Sequence, residues 1–432
     1  METEAGKVVK VRAGTTYYWS FAKTLLGKDP LDALQLTQRL SGMDFIPHSV
    51  AAARALEKIA GLNLSVTGAL TRNILLALDI IYGNITNFYQ NALPDYIAFP
   101  GTGPFNTPAG AYRPDPGVSE RMLANAWTSF DIRQLIHHMA AVSGGKGPHI
   151  CNVVFGGVTK SFTRAEIVRM KSLLKKVAGF INGRFTEDLG QIERSYPEYF
   201  NIGTGSGRLL TVGEFDRRNS AGFEFPARVA GGSGIMEADT GLVRADYESS
   251  RFEMRGSDGA PLTTVLDAAP GKAGAYSWVI GAVYDGLPYE TGALARMHLS
   301  GNTAVAGLAA GGRSVLGRHR SRLAESRMLA NKIDQWLDQI NQEDPDTSIA
   351  VKSSIPDQGE AVGTAEGAMG AVVHHVFLNK GRIAGYTVLD AFSWNLCPRT
   401  RGGQSGPLEE ALTGLNAVKE NLIEVYRTVR SF

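Results

Sequence analysis

The chain has 432 residues and a net charge of +2 at neutral pH, with 44% apolar and 20% charged residues. That is the profile of a globular protein with a sizeable core, and it leaves no basic footprint for nucleic acid or an acidic membrane. Two cysteines, Cys151 and Cys397, exclude a disulfide framework, a zinc knuckle and an iron–sulfur cluster ligated by this chain alone. The length is compatible with two or three domains, but no Pro/Ser-rich linker marks a boundary, so one large body fits equally. The N-terminus carries acidic residues at once and no apolar run, so it is no secretory signal. A cytoplasmic location is expected, with export on a partner's signal left open.

In chain order, Lys7 to Arg12 alternates as a strand does. Helical spacing covers Tyr17 to Leu26 and Asp32 to Leu40, joined by the Gly27-Lys28-Asp29-Pro30 turn. A helix is predicted over Val50 to Leu62, after the stretch Arg39 to Ser49. Thr67 to Leu93 is long and mostly apolar, but Arg72, Asp79 and several Asn interrupt it, so it is a central bundle helix rather than a membrane span. Phe99 to Pro116 reads as loop and Glu120 to Val142 as helix. Thr163-Arg164-Ala165-Glu166 is a capping box that opens a helix running to about Phe180. From Asn201 to Thr264 the Gly, Thr and short alternating runs suggest a β-rich surface region. Val315 to Ile340 returns to amphipathic helix, with Leu323, Met328, Leu329, Ile333, Trp336, Leu337 and Ile340 on its apolar side. Val372 to Leu389 reads as a hairpin turning at Asn379-Lys380-Gly381, and Leu408 to Val429 as a closing helix. The fold class expected is α+β and helix-dominated, a long central helix bundle with small peripheral sheets.

Taken singly, the polar residues are weak signals. His48 after Pro47 is a helix-start histidine, and Ser41 and Asp44 are turn and capping residues. The three could also place hydroxyl, carboxylate and imidazole in one pocket. The adjacent pairs His137-His138 and His374-His375 point their rings apart in either a helix or a strand. Gly203 to Gly207 follows no clear strand and opens no clear helix, which argues against a nucleotide loop. Cys151 reads as an inert buried thiol, and Cys397 has little beside it to activate it except Arg399.

Several separated stretches, in order, resemble one family. Gly27-Lys28-Asp29-Pro30-Leu31-Asp32-Ala33 is similar to GRDPRDA, followed by Thr37-Gln38-Arg39. Gly144 to His149 and Val153 to Thr159 resemble GGKxPHPQNxVxGGVT. Tyr289-Glu290-Thr291-Gly292-Ala293-Leu294-Ala295-Arg296 resembles YExGPLAR. Ser393-Trp394-Asn395 through Gly406 to Gly414 resembles TWNxxPRxxxGxxGPxExALxG. On these motifs the chain is identified as a member of the NiFe-hydrogenase large-subunit family over nearly its whole length, which implies a single large-subunit-like domain, 1–432, with 200–265 as its β-rich surface region.

The departures from that pattern shape the expected function. In the family the first nickel-binding cysteine pair lies in R-x-C-G-x-C-x-x-x-H; here Ser41 and Asp44 stand at those positions, with Arg39, Gly42 and His48 kept. The second pair follows RTVRSF, which is where this sequence ends at Phe432, and the family's R-I-E-G-H segment has no counterpart. Val283 stands at an arginine position, Glu366 falls within the stretch resembling E-x-P-R-G, and Ala391 and Phe392 replace the start of P-S-T-W-N. Nickel in the family is held by four thiolates, whereas Ser41 and Asp44 offer hard oxygens. The expectation is therefore no nickel–iron centre, no hydrogen cleavage at one, and no cofactor in this chain. The implied role is a component of a redox complex, a hetero-oligomer with an iron–sulfur small subunit, whose remodelled cavity reduces another substrate. Asp44, His48 and Ser41 are its candidate catalytic groups, with Asp44 or His48 as proton donor, and Glu366, Cys397, Phe392 and Val283 line it. Phe392 is expected to fill a formerly polar niche. The alternative is a non-catalytic scaffold or assembly factor for hydrogenase maturation.

Overall fold

The structure, a computed structural model, describes residues 1–17, 21–98, 112–217, 222–231, 234–254, 266–306, 308, 312–342, 348–417 and 421–432. The long helices are α1 (Phe45–Ile59), α2 (Val66–Thr86), α3 (Pro116–Gly144), α4 (Arg164–Phe180) and α5 (Val315–Gln342). The longest strands, β1 (Gly359–Glu366), β2 (Ala371–Asn379) and β3 (Arg382–Leu389), form one antiparallel sheet in that order. The other described strands are short and lie in two- and three-stranded sheets. The helix-dominated α+β class expected from the sequence is the class observed.

Helix α2 is the centre. Every residue from Thr67 to Thr86 is buried, as a helix apolar on most sides requires. Its start is fixed by Ser65, whose side chain accepts the N–H of Gly68. The polar residues that interrupt it are the ones that fasten its neighbours. Arg72 donates to both carboxylate oxygens of Glu57 on α1, at 2.6 and 3.0 Å, and to the carbonyls of Val154 and Gly157. Asn84 donates to Glu325 of α5 at 2.9 Å. A buried polar group must find such partners, so each one specifies which element packs there.

Helix α1 is buried from Phe45 to Glu57. Its alanines let the backbone approach β1 closely: a Cβ added at Gly363 would lie 2.0 Å from the carbonyl of Ala51. Arg54 then donates to the carbonyl of Thr364 at 2.7 Å and pairs with Asp216 at 3.0 Å.

The capping box at Thr163 is present in both directions, and α4 ends at Phe180. The β2–β3 hairpin turns at Lys380 and Gly381, both at positive φ, the pair of conformations that a two-residue loop of matching twist demands. Strand β1 had no counterpart in the sequence reading. Helix α1 begins at Phe45 rather than Val50, which places His48 inside its first turn. The predicted closing helix is two helices, Pro407–Leu412 and Ile423–Ser431. Between them Gly414 takes φ +85° and Asn416 bridges to Lys7. The region from 201 holds short strands as expected, yet its first ones are core rather than surface, with Leu209, Leu210 and Phe215 buried. Cys151 is exposed, not buried, because it follows the turn after α3 rather than packing beneath it. The loop expected over 99–111, and parts of the readings over 18–20, 255–264 and 418–420, lie outside the described residues. Among the described residues no helix is long and apolar enough to cross a membrane.

Two substitutions test this account by chemical denaturation. Thr163→Ala removes one half of the capping box and lowers stability by about 1 kcal/mol. Arg72→Met leaves the Glu57 carboxylate buried without its partner and costs about 3–5 kcal/mol. An Arg72→Met chain as stable as the wild type would show that the pair does not fasten α1 to α2.

Candidate functional site

The turn before α1 is built by Ser41. Its hydroxyl accepts the N–H of Met43 at 3.2 Å and of Asp44 at 3.1 Å, which bends the chain into the helix. Asp44 stands at the N-cap position, yet its side chain makes no capping bond. The capping acceptor comes from elsewhere: the carboxyl of Asp79, on α2, takes the backbone N–H groups of Phe45 and Ile46. Asp44 is thereby freed to reach the turn after β1, where it accepts the N–H of Met369 at 3.3 Å and a bond from Ala368. That turn is pressed onto the site by two glycines. A Cβ at Gly367 would lie 2.6 Å from Asp44 Oδ1, and one at Gly83 on α2 would lie 2.2 Å from the Cβ of Ala368.

Two carboxyls are thus enclosed side by side. Burial, the larger effect, pushes Asp44 up to about 7 against the pull of its backbone hydrogen bonds and of Arg296. Asp79 is raised well above the ordinary carboxylate range, first by burial and then by the charge of Asp44. Its Oδ2 is buried with no hydrogen-bond partner, consistent with a carboxyl that keeps its proton.

His48 faces away from this pair, toward the sheet. Its Nδ1 lies 2.9 Å from Nε2 of His374 on β2, and Nδ1 of His374 lies 2.8 Å from the hydroxyl of Tyr386 on β3. Burial depresses His48 to about 3, so the ring is neutral at physiological pH. The adjacent His375 points to the other face, 2.8 Å from Glu360, as alternation along a strand dictates.

The other sequence candidates divide. Glu366 is fully enclosed but belongs to an ion-pair network: Oε1 accepts the N–H of Val212 and Oε2 accepts Arg296 Nη1, each at 2.8 Å. Arg296 also donates to both oxygens of Glu325 at 2.6 and 3.0 Å. This network borders the site, since Arg296 acts on the charge of Asp44, but Glu366 presents no free carboxylate to it. Cys397 is buried against Gly281, and burial pushes its thiol above the ordinary range. Val283 is buried on the same strand, opposite Arg244. Phe392 is 40% exposed and fills no niche: it lies on the helix Ala391–Asn395, whose capping residue Asp390 and inward-facing Trp394 occupy the inner side. Sequence reasoning missed Asp79, Arg296, Glu325, His374 and Tyr386 as parts of the site. For Asp79 the signal was available, a carboxylate inside an otherwise apolar helix.

Among the described residues no three His, Cys, Asp or Glu side chains gather as a ligand set, and the donors around Asp44 are hydroxyl and carboxyl oxygens. These are not the thiolates that suit nickel.

Comparison with known proteins gives the family. The model of the family described as nickel-dependent hydrogenase matches residues 21–102 and 102–432. The chain is 28% identical to the periplasmic NiFeSe hydrogenase large subunit of Desulfomicrobium baculatum, over all of this chain and 90% of that one. It is 25% identical to the hydrogenase-2 large chain of Escherichia coli K12, over all of this chain and 92% of that one. Among solved structures, the Ni-Fe-Se hydrogenase from D. vulgaris Hildenborough in its reduced state superposes with a TM-score of 0.91 at 29% identity, covering 99% of this chain and 93% of that one.

These matches correct the expectation that this chain has no cofactor and lacks a nickel–iron centre. The relatives are NiFeSe and related hydrogenase large subunits, the kind of chain that carries such a centre, and they match from end to end. Two substituted positions and the place where a sequence stops do not exclude a centre. The chain belongs to the nickel-dependent hydrogenase family, as a protein of the large-subunit type.

Proposed function

We propose that this chain is the large subunit of a hydrogenase-type redox complex, a heterodimer with a smaller iron–sulfur subunit, and that Asp44 transfers protons in its buried site. The observation that carries the proposal is the Asp44 carboxyl itself. It is enclosed at the head of α1, within the stretch that resembles the family's metal-holding segment, and is held at about 7. A group poised there can both take up and release a proton at neutral pH, which is what transfer of protons alongside electrons requires. The charge of Asp44 acts in turn on Asp79, raising that carboxyl beyond the effect of burial.

Two roles offered by the sequence fall away. A ring held neutral down to about pH 3 is no proton donor at neutral pH, so His48 serves with His374 and Tyr386 to fix α1 on the sheet. The hydroxyl of Ser41 is committed to its turn. Pairing is supported by likeness along the full length to chains named large subunits. No observation favours the maturation-scaffold alternative. A cytoplasmic location remains part of the proposal, although the D. baculatum relative is named periplasmic.

Purification of the tagged chain from its native host under anaerobic conditions tests the pairing. A second, smaller polypeptide in equal amount, with iron and acid-labile sulfide, is the expected result; the chain recovered alone would overturn it.

Asp44 has its own test in pH-dependent stability. Its folded value, about 7, lies above the ordinary value of 3.8, so between them the native state binds the extra proton. Its stabilising contribution is full below about pH 4 and is lost as pH rises through 7. Relative to wild type, Asp44→Asn should therefore gain roughly 2–4 kcal/mol on going from pH 4 to pH 8. Denaturant titrations at the two pH values measure this, and parallel behaviour of the two proteins would show that Asp44 titrates as an ordinary carboxylate.

A further inference from the structure

Two carboxyls compete for one end of α1. A helix start leaves backbone N–H groups in need of acceptors and favours negative charge. An aspartate at the N-cap position meets that need through the N–H of the second or third helical residue. Here the third is Pro47, which has no N–H, so Ile46 alone is left for Asp44 to take. That donor is already occupied, because Asp79 receives the N–H groups of Phe45 and Ile46. Asp44 makes no capping bond and is found instead on the turn after β1, accepting Met369 at 3.3 Å.

Packing seats Asp79 where it can do this. Tyr82 and Gly83, three and four residues further along α2, share its face of the helix. The Tyr82 ring lies 6.1 Å from that of Phe45. A Cβ at Gly83 would lie 2.2 Å from the Cβ of Ala368 and 3.9 Å from the carbonyl of Met43. One face of α2 thus packs on both the start of α1 and the turn that holds Asp44. Arg296, on the helix Ala293–Leu299, pulls Asp44 down, and Asp390, capping Ala391–Asn395, pushes it up. It is the charge of Asp44 that raises Asp79, so Asp44 ionises first and Asp79 is neutral while it does so.

We propose that Asp79 is the positioning residue of the proton-transfer site: by occupying the Ile46 N–H it keeps Asp44 off the end of α1 and on the enclosed turn after β1. This role rests on Asp44 being the proton carrier proposed above. Asp79 acts in it as an acceptor and not as a charge. Without that acceptor the helix start draws Asp44 back, and there a hydrogen bond and the positive helix end both favour the ionised form.

Infrared titration of the full chain tests this, with the Asp44 carboxyl band assigned by its loss in Asp44→Asn. Wild type should titrate at about 7. Asp79→Asn keeps an amide oxygen as acceptor and should hold the midpoint within about half a pH unit. Asp79→Leu removes the acceptor and should lower it by about two pH units. A wild-type midpoint in the ordinary carboxylate range would sink the proton-carrier reading itself. A wild-type midpoint near 7 that Asp79→Leu leaves in place would overturn the positioning role alone, since a merely structural Asp79 lowers stability without moving Asp44. So would an Asp79→Asn midpoint that falls as far as that of Asp79→Leu. Should Asp79→Leu fail to fold, a second carboxylic acid band decides: it must persist after Asp44 has ionised and vanish in Asp79→Asn. Its absence from wild type would make Asp79 a charge and overturn the proposal.

Discussion

A guanidinium buried without water must be neutralised where it stands, and Arg296 shows how much structure that requirement organises. It sits on the short helix Ala293–Leu299 and draws in Glu325 from α5 and Glu366 from the end of β1. Asn84 of α2 donates to the same Glu325. Four elements distant in sequence are thus tied at one point. Removing either partner of such a pair would strand a charge in a low-dielectric interior, a penalty of several kcal/mol that a hydrophobic core alone does not impose. The turn that follows Glu366 is fixed by this anchor, and the turn in its place holds Asp44.

The same enclosure acts in opposite directions on the ionisable groups around it. Loss of water disfavours charge, so it lifts Asp44 to about 7 and depresses His48 to about 3. Both groups are neutral over much of the range between these values, but only Asp44 changes its charge near physiological pH. The contrast between a carboxyl that titrates near neutrality and an imidazole that does not follows from one physical cause. Asp79 is raised by a second cause as well, repulsion from the charge of Asp44, and it supplies the acceptor that the helix start needs. Because that acceptor comes from α2, Asp44 can leave the capping role that its position would otherwise give it.

Much was legible in the sequence because it depends on local patterns. The apolar run with isolated Arg72, Asp79 and Asn84 marked a central helix. The capping box marked the start of α4, and the Asn379-Lys380-Gly381 turn marked the hairpin. The motifs around Gly27, Gly144, Tyr289 and Ser393 marked the family. What failed did so for identifiable reasons. Helix α1 was begun five residues late because its true cap lies on another helix. The closing helix was read as continuous because one glycine at positive φ interrupts an otherwise helical composition. Phe392 was assigned to a hole from a change of residue type alone, and volume says nothing about which side of a helix faces inward.

By itself the sequence determined the fold class, the family and the segment, Ser41 to His48, around which the candidate site is built, because these rest on periodicity and ordered motifs. Only the tertiary structure decided what each residue there does. It paired Asp44 with Asp79 and turned His48 toward His374 and Tyr386. It spent Glu366 on Arg296 and sealed Cys397 against Gly281. Hydrogen bonds, desolvation and charge coupling act through space over a few ångströms, and the residues that share those few ångströms are up to about three hundred positions apart in the chain.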